Sequence, residues 1–162
     1  VNIGRVRGPL ELGNRRQESV DRFLDALNEV AEYAQLKGVD VALEPINRYE
    51  INFINLVEEA VEVIRLINHP NIKVMPDVFH MNIEERSIEA SLAAYKDYIC
   101  YVHFADSNRH APGMGHLNFP SIIFTLKAVG YRGYVTAEIL PHPSPDEAAA
   151  QAARYLRALL PK

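Results

Sequence analysis

Apolar positions change period in a regular way along the chain. Short runs of alternating apolar and polar residues give way to longer runs with an apolar residue every three or four positions. The short runs are Val1–Gly8, Val39–Ile46, Ile72–Phe79, Ile99–Asp106 and Tyr134–Leu140, and each predicts a strand. Between the first two, Ser19–Lys37 places Val20, Phe23, Leu24, Leu27, Val30, Ala31 and Ala34 on one helical face, with Gly38 as its stop. Further helices are predicted from Asn55 to Ile67, with Glu58 as capping-box partner, and over Ser87–Tyr98. Another runs over Phe119–Val129 with Pro120 in its first turn. Ser144, Pro145, Asp146 and Glu147 read as cap, first-turn proline and acidic third position of a last helix. Strands alternating with helices predict parallel pairing through right-handed crossovers.

Side-chain parity separates two architectures. In Val39–Glu44 one face carries Val41 and Leu43, the other Asp40, Ala42 and Glu44. Likewise Ile72 and Val74 oppose Lys73, Met75 and Asp77, and Val135 and Ala137 oppose Tyr134, Thr136 and Glu138. One face is apolar; the other is mixed and turns ionisable at the strand's C-terminal end. A sheet covered by helices on both sides needs two apolar faces. A barrel wall needs one, with its chemistry at the top. The expected fold is therefore α/β: a partial (β/α)8 barrel of the TIM type, with about five parallel strands and amphipathic helices outside. Residues 1–162 read as a single such domain. Five strands do not close a barrel of eight, so self-association through the open barrel edges is expected.

Composition narrows the function classes. The chain has 162 residues and a formal net charge of -4, from 17 Lys and Arg against 21 Asp and Glu. That balance disfavours binding to a nucleic-acid backbone. No apolar run approaches the ~18 residues of a membrane-spanning helix. Val1–Leu12 has no continuous apolar stretch, so no secretory signal is expected there. The single cysteine, Cys100, rules out an internal disulfide and a cysteine zinc site. A cytoplasmic protein with no nucleic-acid or membrane partner is expected.

Candidate chemistry lies at the strand ends. Glu44, Asp77, His103 and Glu138 close four successive strands, and on a barrel rim such ends converge. Singly, each has an ordinary reading, as a helix cap, a solvated loop charge or a core histidine. Together, three carboxylates and one imidazole suit a divalent cation: Mn²⁺ foremost, with Mg²⁺, Co²⁺ or Zn²⁺ as alternatives. Glu50, His80 and Arg109 lie just beyond the same ends. They would give a polyol substrate an acceptor, a donor and a fixed positive charge. Gly113 and Gly115, in Pro112–His116, either bring backbone N–H groups to a phosphate or form a simple turn.

Three segments carry a resemblance. They are Glu44-Pro45-Ile46-Asn47-Arg48-Tyr49-Glu50, Asp77-Val78-Phe79-His80-Met81 and His103-Phe104-Ala105-Asp106-Ser107-Asn108-Arg109, followed by Pro112-Gly113-Met114-Gly115-His116. They resemble the xylose-isomerase-like sugar isomerase/epimerase superfamily, and within it the ketose 3-epimerases of the tagatose/psicose type. The likeness covers essentially the whole chain but only the last five βα units of a complete barrel. It implies that Glu44, Asp77, His103 and Glu138 hold the metal, and that Glu44 and Glu138 double as the acid/base pair. It also implies that Glu50, His80 and Arg109 hold substrate hydroxyls and carbonyl. The implied reaction is epimerisation or aldose–ketose isomerisation of a sugar or sugar phosphate through an enediolate. Two other readings stand beside it. One is a metal-dependent phosphodiesterase of the endonuclease IV type, for which His116 stands where an extra ligand would be but Met114 replaces the Asp expected before it. The other is a non-catalytic partial barrel that binds metal without turnover.

Overall fold

All five alternating runs form strands, but only short stretches of them pair. The structure, a computed structural model, describes residues 1–159. Strands β1 (Asn2–Ile3), β2 (Val41–Leu43) and β3 (Ile72–Val74) pair in parallel, with Asn2 opposite Ala42 and Leu43 opposite Val74. Strands β4 (Tyr101–Phe104) and β5 (Tyr134–Ala137) pair likewise, with His103 opposite Thr136. Single bridges, Val74 to Ile99 and Asp77 to His103, join the two sheets. There Cys100 N donates to Val74 O at 3.0 Å and His103 N to Pro76 O at 2.9 Å. The strands thus run in chain order, as the wall of a partial barrel.

The helices are α1 (Arg16–Leu36), α2 (Val57–Ile67), α3 (Val78–Glu84), α4 (Ile88–Ala94), α5 (Phe119–Ala128) and α6 (Pro145–Leu159). Val41, Leu43, Ile72, Val74, Val102 and Phe104 of the wall share one buried cluster with Leu27 and Ala31 of α1, Val61 and Ile64 of α2, Leu92 of α4, and Phe119 and Ile122 of α5. Burying each large side chain contributes roughly 1.5–3 kcal/mol. The opposite face behaves unevenly. Ala42 and Met75 are buried, whereas Thr136 is exposed, because among the described residues β5 has a neighbour on one side only.

Several boundaries differ from the sequence pattern. The strand expected over Ile72–Phe79 stops at Val74. Pro76 has no N–H to donate, and Asp77 turns the chain by capping α3, its Oδ1 accepting from Phe79 N at 2.9 Å. The cap of α2 is Leu56 rather than Asn55, so Glu59, not Glu58, is the reciprocal carboxylate. Its Oε2 accepts from Asn55 N at 2.6 Å and Leu56 N at 3.2 Å. Ser87–Tyr98 divides into α4 and a 3-10 turn, Lys96–Tyr98. The first run pairs for two residues before Gly4 leads into a second 3-10 turn, Arg5–Arg7. Gly38 adopts the left-handed conformation at the end of α1, and Ser144 caps α6 through Glu147 N, both as expected.

Candidate metal centre

The strand ends bring Glu44, Asp77, His103 and Glu138 together. One donor atom from each lies within 4.8 Å of the other three. Glu44 and Asp77 are buried, His103 is partly buried, and Glu138 is exposed on the edge strand. His103 presents Nδ1, 3.7 Å from Glu44 Oε1 and 3.2 Å from Glu138 Oε2. Asp77 spends Oδ1 on the cap of α3. Its Oδ2 is buried and accepts no hydrogen bond. Arg109 Nη1 lies 2.8 Å from Oδ2, close enough to pair with its charge but not aligned to donate. A buried carboxylate oxygen without a donor is costly. Oδ2 has the Arg109 charge beside it but no hydrogen bond, and the set of carboxylate oxygens with one imidazole nitrogen fits a divalent cation.

Protons mark the same centre. Burial raises the Asp77 carboxyl above its usual range, against the pull of Arg109. Burial would lower His103, but its hydrogen bond with Glu138 and the Glu44 carboxylate beside it prevail and raise it to about 10. The His103 hydrogen bond, with Arg109 nearby, holds Glu138 below the usual carboxylate range although burial opposes it. A bound cation would compete with these protons.

A cavity of about 390 Å³ opens over the cluster. Glu50, His80 and Arg109 line it beside Glu44 and Glu138, so the residues named from sequence do converge. Arg109 adopts a left-handed φ of 63° and lays its guanidinium 4.6 Å over the Phe79 ring. It also pairs with Glu138.

A family model described as xylose isomerase-like TIM barrel matches residues 2–159. The chain belongs to that family. It is 39% identical to a D-psicose 3-epimerase of Ruminiclostridium cellulolyticum over 118 residues, which is 73% of this chain and 40% of that protein. It is 36% identical to an L-ribulose 3-epimerase of Methylomonas sp. over 136 residues, 84% of this chain and 46% of that one. The crystal structure of a 3-keto-D-glucoside 4-epimerase from E. coli superposes with a TM-score of 0.84 at 31% identity, covering 91% of this chain and 57% of that chain. The chain thus spans less than half the length of these two curated relatives.

This xylose isomerase-like barrel wall holds further site residues that sequence reasoning missed. Asn2 Nδ2 donates to Glu44 Oε2 at 2.8 Å. A Cβ on Gly4 would stand 2.7 Å from that same oxygen, so any larger residue would have to push the carboxylate or the end of β1 aside. Arg7 folds beneath the turn and donates to Gly4 O at 2.8 Å and Glu44 O at 2.9 Å. It also donates to Phe53 O at 2.8 Å and Ile54 O at 3.0 Å. Burial lowers this guanidinium to about 10. The available signal was Gly4-Arg5-Val6-Arg7-Gly8, two glycines around paired arginines at a strand end.

The glycine loop is a turn. The Asp106 carboxylate accepts from Ser107 N at 2.8 Å, Gly113 N at 2.8 Å and Leu117 N at 3.1 Å. The Gly113 amide is spent inside the loop, and a buried aspartate sits where the phosphate reading required an anion from outside. His116 Nδ1 lies 2.9 Å from Ser107 Oγ and is not part of the four-residue cluster.

Proposed function

We propose that this chain carries the metal-binding and proton-transfer machinery of a sugar or sugar-phosphate epimerase or isomerase. The observation that supports it best is the pair of glutamates, one from β2 and one from β5, meeting in a single four-donor cluster beneath a polar cavity. Relatives named as sugar epimerases support the substrate class. Glu44, Asp77, His103 and Glu138 would hold the cation, Mn²⁺ before Mg²⁺, Co²⁺ or Zn²⁺. When bound, it would supply Lewis-acid polarisation of the substrate carbonyl. Glu138, kept ionised by His103 and Arg109, removes the proton from the carbon beside that carbonyl. Glu44, entering that turnover with a proton taken from solvent, returns it from the end of β2, across the site from Glu138. Return on the opposite face of the same carbon inverts it; return to the neighbouring carbon exchanges aldose and ketose. Glu50, His80 and Arg109 hold the hydroxyls and carbonyl oxygen.

The proposal includes a cytoplasmic setting, a small sugar as the partner and self-association through the open edges. Among the described residues, no helix is long and apolar enough to cross a membrane. The phosphodiesterase reading has less support, because His116 turns to Ser107 and one metal cluster is present among the described residues.

Incubation with ketopentoses, ketohexoses and their phosphates in D₂O with Mn²⁺ tests the reading. Deuterium should enter at the carbon beside the carbonyl, and EDTA or Glu138→Gln should abolish it. Incorporation at the wild-type rate by Glu138→Gln would remove that residue from the acid/base pair. A Mn²⁺-induced rise in melting temperature without any exchange would favour the non-catalytic metal-binding barrel.

A further inference from the structure

Asn47 is 2% exposed and has no place in the chemistry above. Its amide orientation is decided by its partners. Tyr49 N donates to one amide atom at 3.0 Å, and a backbone N–H can only donate, so that atom is Oδ1. The other atom is Nδ2. It lies 3.0 Å from Glu50 Oε1, an acceptor, which agrees. It also lies 2.7 Å from His80 Nδ1. An amide nitrogen only donates, so His80 Nδ1 must receive with a lone pair. The ring proton is then on Nε2. An imidazolium has no lone pair at Nδ1 and does not fit this partner. Burial, with the Arg109 guanidinium alongside, acts in the same direction and keeps the ring neutral.

Nε2 lies 3.5 Å from Arg109 Nη1. The guanidinium N–H is aligned on Nε2 only at this outer limit of hydrogen-bond distance, so the 2.7 Å contact at Nδ1 decides the proton; with it on Nε2, both atoms are donors and turn to a shared acceptor instead of to each other. Two N–H groups side by side at a cavity wall form a cradle for one oxygen atom. We infer that Asn47 is a positioning residue that holds His80 as its Nε2–H tautomer, so that His80 and Arg109 together donate to a single carbonyl or enediolate oxygen of the substrate. The tautomer follows from the hydrogen-bond pattern; the oxygen it serves rests on the proposed sugar chemistry.

Long-range ¹H–¹⁵N correlation spectra of the labelled chain at pH 7, metal-free and with Mg²⁺, read the His80 tautomer directly. A neutral ring protonated at Nε2 is expected. A ring protonated at Nδ1, or at both nitrogens, overturns the inference, and this reading needs no variant to fold. Asn47→Asp replaces the donor by an acceptor and should move the proton to Nδ1 or charge the ring. If the wild type turns over a sugar, kcat of Asn47→Asp should fall by roughly 10²-fold or more with a smaller change in KM. A flipped ring with wild-type kcat would overturn the donor role. Absence of turnover in the wild type would count against the sugar reading alone, because the spectrum still decides the tautomer.

Discussion

His80 is carried into the fold without its proton. Burial, with Arg109 beside it, lowers it from the ordinary 6.5 to about 4. Between those values the unfolded chain binds more protons than the native one, so stability rises with pH there. The contribution is complete above about 6.5 and is lost as pH falls toward 4. Between pH 7 and pH 5 the loss amounts to about 2 kcal/mol. Urea unfolding at the two pH values should show wild type losing about 2 kcal/mol more than His80→Gln. Equal losses would mean that the native ring titrates normally. The ionisable site residues were legible in the sequence for one physical reason. A carboxylate or imidazole at a strand's C-terminal end, on the parity opposite Val41 and Leu43, breaks an otherwise apolar alternation. Asn2 and Asn47 broke no pattern. Asn2 acts across 42 residues of chain, and Asn47 acts through the orientation of its amide.

Strand β1 is two residues long, yet with its turn it seats Glu44. Asn2 takes Oε2, Arg7 takes the Glu44 backbone carbonyl, and Oε1 is left facing His103. Gly4 permits the approach. A methyl group there would meet Glu44 Oε2 at 2.7 Å and Ile46 Cδ1 at 3.2 Å, so Gly4→Ala must displace the carboxylate or the strand end. Calorimetric titration should show Mn²⁺ binding weakened by at least roughly 10-fold, the scale of losing an outer support to a metal ligand. Unchanged affinity would show that Glu44 has room to spare. Elements as a class were readable from periodicity, whereas their ends were not. Helix α3 was hidden because Val78 and Phe79 extend the strand-like run from Ile72, and the turn depends on Pro76 lacking an N–H and on Asp77 capping. The cap of α2 moved by one residue because the Asn55 amide is held by Ile46 O and Ile51 O instead.

Over the whole molecule, β1 and β5 each lack a neighbour on one side among the described residues. An apolar groove of about 390 Å³ lies between β5 and α6, lined by Ala137, Ile139, Ala148, Ala152 and Leu156. Tyr134 on β5 and Phe124 on α5 are also largely exposed. Burying ~600 Å² of such surface contributes roughly 15 kcal/mol before the cost of association, which approaches the same size. Sedimentation at micromolar concentration should therefore show a dimer or larger species. A clean monomer of 18.3 kDa would refute self-association.

Strand order has one more effect, on how the wall comes apart. Each strand bonds only to its neighbours in the chain, so opening can start at one end and leave the rest intact. One such end is β5, where Tyr134, Thr136 and Ala137 are exposed, while Val41 and Leu43 in β2 are buried. Amides of β5 should exchange with solvent deuterium before those of β2. Glu138 rides on the strand that frays, so every opening would remove one of the four proposed ligands. A cation held by all four binds only the docked form, and Mn²⁺ should slow exchange in β5 more than anywhere else. The metal centre would then also be a clasp, fastening an open end of the wall to its buried interior.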